Sequence, residues 1–180
     1  MMMDPVISTS AALALSVIFA SAASHKLRHP GWFRRQVQEY ELIPVFMVPP
    51  MAAALPLTEL AIAASLLWTT SRPYAGVLAF FLIGAYALAI AINLARGRKD
   101  IDCGCTGPAM RQPLQPALLA RNLLLAVMAL CASLPMLDRP IGLHDSFVMI
   151  AAGTVLVLLY TATDLWLANR PLLLKLTGEK

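Results

Sequence analysis

The sequence predicts an all-α integral membrane protein, and three observations support this. Hydrophobic residues make up 59% of the 180 positions and charged residues only 13%, whereas a soluble domain carries about a quarter charged residues. The mean hydropathy is +0.70. The apolar excess falls in five blocks long enough to cross a bilayer, divided by short polar connections. A formal net charge of +4 does not indicate nucleic acid, because the basic residues flank apolar blocks instead of forming a stripe interleaved with aromatics. Three cysteines are too few for a secreted disulfide scaffold. With the spans removed no soluble domain of useful size remains, so residues 1–180 read as a single membrane domain.

The first span is expected at about 6–24, broken only by small hydroxyl residues that a helix in lipid tolerates. Ala20-Ser21-Ala22 looks cleavable, but only Asp4 precedes the apolar run where a signal peptide has a basic region, so a retained span is expected. Residues 25–44 form a polar connection whose Trp32, Phe33 and Tyr40 suggest a short helix lying at the membrane surface. The second span, about 45–69, holds Pro49, Pro50 and Pro56 in its first half, which implies a kinked or late-starting helix. Arg72-Pro73 turns the chain into the third span, about 74–95. In the loop 96–115, Gly97, Gly104, Gly107, Pro108 and Pro113 oppose helix continuation. The fourth and fifth spans are expected at about 116–137 and 146–168, with a short basic tail after them.

Lysine and arginine set the expected orientation. The first connection, the loop 96–115 with Arg121 at its edge, and the tail carry twelve of the fourteen; Arg72 and Arg139 are the others. The positive-inside rule then places the N-terminus outside and the C-terminus in the cytoplasm, with loop 96–115 also cytoplasmic. An odd number of spans agrees. The same parity brings Lys26, Glu59, Asn93, Arg96, Arg121, Asn122 and Asp164 towards one membrane side. Charges within a membrane normally face a bundle interior or a wet cavity. Glu59, deep in the second block, needs a partner or stays protonated. Lys26 or Arg121 could pair with it; it could relay protons, or it could simply hydrogen-bond two helices together.

Cys103 and Cys105 stand on either side of Gly104 in that loop. A thiol pair this close can open and close as a disulfide, exchange with a partner's thiols, or grip a soft metal. Closing the pair makes a small ring that departs from preferred disulfide geometry and is easier to reduce, and Gly104 relaxes the backbone enough to allow it. Arg96, Arg98 and Lys99 favour thiolate while Asp102 opposes it, though ordinary positive-inside charge also accounts for Arg98 and Lys99. Zinc needs two more ligands, from His25, His29 or Cys131. Cys131 sits mid-span and reads as an inert core residue, and His144 is on the opposite side, so no metal site is expected.

Ser24-His25-Lys26, Leu55-Pro56-Leu57-Thr58-Glu59, Arg96-Gly97-Arg98, Asp102-Cys103-Gly104-Cys105, Gly107 and Arg121-Asn122 together resemble the MauE family, within the DoxX-like and MauE-like redox-associated membrane proteins. The likeness covers nearly the whole chain. The Arg-Gly to Cys-Gly-Cys element is its most specific part, and Thr106 stands where many relatives carry an aromatic residue. The resemblance implies a DoxX-like four-helix transmembrane bundle plus a fifth span, in a bacterial inner membrane. It implies a role in maturing methylamine dehydrogenase, whose periplasmic small subunit carries several disulfides, beside a thioredoxin-like MauD-type partner. Cys103 and Cys105 would be the exchanging pair, in surroundings made by Lys26, Glu59, Arg96, Gly104, Arg121 and Asn122. No cofactor follows from the residues, and a quinone docked in the bundle stays open. A periplasmic client and a cytoplasmic thiol loop conflict, so the direction of electron flow is not fixed. Two other readings remain: a non-catalytic membrane anchor for the maturation partner, and a small transporter built on Glu59.

Overall fold

The structure, a computed structural model, describes residues 2–105, 107 and 111–177, with side chains as far as Arg170. Thr106, Pro108 and the end of the basic tail lie outside the described residues. Six α-helices follow in order: α1 Pro5–Arg28, α2 Pro30–Glu39, α3 Val48–Ser65 (led in by a 3-10 turn, Val45–Met47), α4 Arg72–Ala95, α5 Pro116–Ser133 and α6 Leu143–Thr177. Five of these segments are long and apolar enough to span a membrane.

Their outer faces need lipid. Leu57, Tyr74, Phe81, Leu123, Leu124, Phe147 and Leu158 point away from the bundle with most of their surface uncovered. An apolar belt of that extent exceeds what a water-soluble monomer exposes.

α1 packs against α3 and α5, α4 packs against α5 and α3, and α6 lies along α1. α1, α3, α4 and α5 therefore close a four-helix bundle, with α6 as the added span. Its core is built from Leu15, Ile18 and Phe19 of α1, Ile62 of α3, Ile83 of α4 and Leu125 of α5, together with buried alanines from all four helices. Small residues let backbones approach without a hydrophobic drive between helices in lipid. Ser16 donates to the Ala63 carbonyl at 2.8 Å across α1 and α3. A Cβ on Gly76 of α4 would stand 2.8–2.9 Å from the backbone of Ala129 and Ser133 on α5.

The helices differ from the expected spans at their ends. α1 runs on to Arg28, past the expected end at 24, because the charge of Lys26 is satisfied inside the bundle. α3 begins at Val48 with Pro49 and Pro50 in its first turn, where proline costs no hydrogen bond, and carries Pro56 inside it. α5 stops at Ser133 and α6 continues well past 168. The surface helix expected in 25–44 is α2, which turns Phe33 and Gln36 inward and packs on α3.

Candidate functional site

The end of α4 starts the site. Gly97 takes the left-handed backbone conformation at φ 75°, its N–H bonds the Leu94 carbonyl, and the Arg98 N–H bonds the Asn93 carbonyl. This paired closure ends the helix and reverses the chain. The loop then folds back on itself: Cys103 N–H donates to Gln112 O at 2.8 Å, and Leu114 N–H to Ile101 O at 3.1 Å. The Asp102 carboxylate accepts from the backbone N–H groups of Gly104 (3.1 Å) and Gln112 (3.3 Å), so it braces the loop. Burial pushes Asp102 above its ordinary range. Gly104 is again left-handed, φ 75°, with Gln36 of α2 lying over it.

This fold sets the Cys103 and Cys105 sulfurs 3.1 Å apart, unbonded, at the helix ends. Cys103 is buried in an apolar nest of Ile90, Ile101, Leu114, Leu118 and Leu167, while Cys105 is partly open. Arg121, from the second turn of α5, holds one guanidinium nitrogen 3.8 Å from both sulfurs. Its other terminal nitrogen is paired with Asp164 of α6. Asn122 accepts from Arg121 at 3.3 Å, and the Tyr160 ring lies 5.7 Å beneath the guanidinium. Gln112 and Gln115 tie the loop to α6 through Asp164 and Leu167.

A second buried pair stands beside the first. Lys26 reaches back along α1, in the direction a helical side chain leans, and pairs with Glu59 of α3. Tyr86 of α4 donates to the same carboxylate oxygen at 2.7 Å, and the Phe33 and Tyr86 rings flank the ammonium at 5.0 and 4.9 Å.

The two thiols differ sharply. Cys105 is lowered to about 6, first by the hydrogen bond from the Cys103 thiol and then by the positive charges of Arg121 and Lys26. Cys103 is pushed well up, because it gives that hydrogen bond and is buried. At neutral pH the pair is therefore one thiolate, on Cys105, beside one thiol. The low-pKa, partly accessible sulfur is the one suited to attack or be attacked.

Of the residues singled out from sequence, Lys26, Glu59, Gly104, Arg121 and Asn122 gather around the sulfurs or one ion pair away. Arg96 does not: it is exposed and donates to the Glu41 carbonyl at 3.4 Å. Arg98 pairs with the Glu41 side chain. Cys131 lies ten residues beyond Arg121 on α5, roughly 15 Å along the helix, and is only half-buried. Among the described residues no three His, Cys, Asp or Glu side chains gather as a metal site. Sequence reasoning missed Tyr86, Tyr160, Gln36 and Gln112 in this environment; the tyrosines inside apolar spans were the available signal.

Two cavities meet at Cys105. One, ≈ 260 Å³, lies between α2, α3 and α4 and reaches Cys103, Gly104 and Cys105. The other, ≈ 270 Å³, lies between α1 and α6 and is lined by Ser21, His25, Tyr160 and Asp164 as well as Cys105.

A family model described as "Methylamine utilisation protein MauE" matches residues 4–135 of this chain. The chain belongs to the MauE family. It is 37% identical to "Methylamine utilization protein MauE" of Paracoccus versutus over 90% of its own length and 88% of that protein. The protein of the same name from Methylorubrum extorquens is 39% identical over 89% and 87% of the two chains. That from Methylophilus methylotrophus is 36% identical over 92% and 88%. No solved structure matches the chain.

Proposed function

We propose that this MauE-family protein serves methylamine utilisation as a thiol-disulfide exchange protein of the bacterial inner membrane, acting through Cys103 and Cys105 in the maturation of methylamine dehydrogenase. The observation that carries the reading is the asymmetric pair: two sulfurs 3.1 Å apart under a shared guanidinium, one held as thiolate and the other as thiol. A structural staple needs neither a buried arginine nor an ionised sulfur.

The exchange runs through Cys105. When the pair is reduced, the Cys105 thiolate attacks a disulfide of the thioredoxin-like, MauD-type partner, forming a mixed disulfide and releasing one partner thiolate. Cys103 then gives up its proton and attacks Cys105, so the intramolecular disulfide forms and the second partner thiolate leaves. In the opposite sense a thiolate of the partner attacks Cys105 of the oxidised pair and expels Cys103. Each full cycle moves two electrons and two protons. Arg121, held by Asp164 and Asn122, stabilises the sulfur charge that develops in either direction.

The ends of α1, α4 and α6 and the starts of α3 and α5 share the membrane side that holds the thiol loop. The lysine and arginine count supports a cytoplasmic placement of that side, with the N-terminus outside. Because the dehydrogenase is periplasmic, in this reading the pair does not meet the client on its own side and exchanges with the thioredoxin-like partner alone.

The test is trapping. In cells making MauD-type partner and dehydrogenase, Cys103→Ser should accumulate a mixed disulfide through Cys105, and Cys105→Ser should accumulate none. Both variants should lose dehydrogenase maturation. Full maturation with both serine variants would end the redox reading.

A further inference from the structure

The cavity between α2, α3 and α4 has a feature that thiol exchange leaves unused. Gln36 of α2 is 8% exposed, lines this cavity beside Cys103 and Gly104, and its side-chain oxygen has no hydrogen-bond partner among the described residues. A buried amide left open costs stability unless something completes it. Most of the rest of the wall is apolar, with Val37, Met51, Leu55, Leu82 and Ile90. Its remaining polar members, Lys26, Tyr40 and Tyr86, stand at the same end as the sulfurs. Ala85 of α4 lines the cavity and is also exposed on a span whose outer surface is lipid-facing.

We infer that this cavity binds the ring of a lipid-soluble quinone, which takes the electrons of the Cys103/Cys105 pair, with the Gln36 amide hydrogen-bonded to a ring oxygen. The inference rests on the thiol-exchange reading and supplies its terminal oxidant. Four points favour that occupant. Ala85 joins the cavity to the lipid-facing surface of α4, so a ligand entering there dissolves in lipid. The volume of ≈ 260 Å³ lies below the range from about 300 Å³ that encloses a drug-sized molecule, and fits one substituted ring with its tail left in the bilayer. An amide N–H can donate to a quinone carbonyl, and a turn of the same amide lets its oxygen accept from a quinol hydroxyl, so Gln36 serves both redox states. An acyl chain alone would leave Gln36 unpaired.

The chemistry balances. One thiolate, one thiol, one quinone and one proton from the cavity wall give one disulfide and one quinol. The S–S bond forms between Cys103 and Cys105, the sulfurs lose two electrons, and the ring gains those two electrons with two protons, one from the Cys103 thiol and one from the wall. Tyr86, hydrogen-bonded to Glu59 at 2.7 Å, and Lys26 supply exchangeable protons at the cavity wall.

The experiment uses the full-length protein in lipid nanodiscs with its thiols reduced, and ubiquinone-1 as the probe. Alkylation followed by mass measurement reads the disulfide, and absorbance reads the quinol. The expected result is one quinol formed per disulfide. Gln36→Leu should raise KM for ubiquinone-1 about three- to tenfold, the scale of one hydrogen bond, with kcat changed less. Ala89→Phe, which fills the cavity, should lower kcat/KM about tenfold or more. A second arm replaces the quinone with glutathione disulfide and reads exchange alone. Exchange with glutathione disulfide and no reduction of ubiquinone-1 overturns the quinone site while thiol exchange stands. Inertness in both arms overturns both. Equal losses in both arms for Gln36→Leu mark a structural residue and overturn its assignment. If the variants do not fold, an azidoquinone photoprobe on the wild-type protein decides: label on the α2 and α4 residues of the cavity supports the site. Label elsewhere, or label abolished by added phospholipid alone, shows a lipid slot and overturns it.

Discussion

The two ends of the bundle hold their ion pairs in opposite ways. At the cysteine end, Lys26–Glu59 and Arg121–Asp164 are ion pairs whose side chains are all less than a tenth exposed. At the other end, Arg139 bridges Asp4 and Asp145 with 34% of its side chain exposed, while the buried Arg72 is held by neutral groups, the Leu66 carbonyl and the Thr9 hydroxyl. The exposed cluster joins the start of α1 to the connection before α6 at little desolvation cost. The buried pairs carry a large one, and replacing such pairs by apolar residues is often neutral or stabilising. Charge kept in a membrane interior at that cost is normally kept for a function. The far end therefore uses its ion pairs for assembly, whereas the cysteine end buries its pairs beside the two sulfurs.

The sharpest way to break this contrast is Arg121→Met. It strands Asp164 in the bundle and removes the cation shared by both sulfurs, so a loss of about 3–5 kcal/mol is expected. The double variant Arg121→Met/Asp164→Leu should recover most of that stability in a detergent unfolding titration. It should not recover the thiolate: the pH midpoint for alkylating Cys105 should move up from about 6, towards an ordinary thiol. The sign follows from the thiolate being the reactive form, so alkylation at pH 7 slows in both variants. A double variant that regained the low midpoint would show that Arg121 is a structural ion and nothing more.

A smaller effect is expected where the far half of the bundle relies on close approach. Gly76→Ala places a methyl 2.8–2.9 Å from α5 backbone atoms, which cannot move as a side-chain tip can. Overpacking of that kind costs about 1–3 kcal/mol. The unfolding midpoint should fall while the Cys105 alkylation midpoint stays near 6. Movement of both would mean that packing at α4–α5 sets the position of the thiol loop, and the two ends could no longer be treated separately.

Much of this was legible in the sequence, for physical reasons that also explain the misses. Block hydropathy set the five spans, since burying backbone in lipid demands helices. Parity brought Lys26, Glu59, Arg121 and Asp164 to one side, but their pairing depends on helix order around the bundle, which parity does not contain. Glu59 therefore had two candidate partners, and the structure gives it Lys26 while Arg121 takes Asp164. Arg96 illustrates nearness in sequence without nearness in space: the turn at Gly97 carries the loop away and leaves Arg96 beside Glu41. Gln36 was invisible for the reverse reason. In a polar amphipathic stretch a glutamine reads as solvated, and only the packing of α2 over the loop shows it buried.

The smallest effect is expected at Arg139. Exposed ion pairs are screened by salt and contribute little, so Arg139→Gln should shift the unfolding midpoint slightly at low ionic strength and less at high. The pH dependence has a definite sign. Arg139 with the Val6 N–H holds Asp4 below its ordinary value. A carboxylate depressed in the folded state adds stability above its unfolded pKa, about 3.9. That stability is lost as pH falls through the folded value. The wild-type advantage over Arg139→Gln should therefore be flat above about pH 5 and shrink as pH falls below about 4. Thiol exchange by Arg139→Gln should match the wild type throughout. A defect in exchange would mean that charge at the far end reaches the sulfurs, and the functional division between the two ends of the bundle would fail.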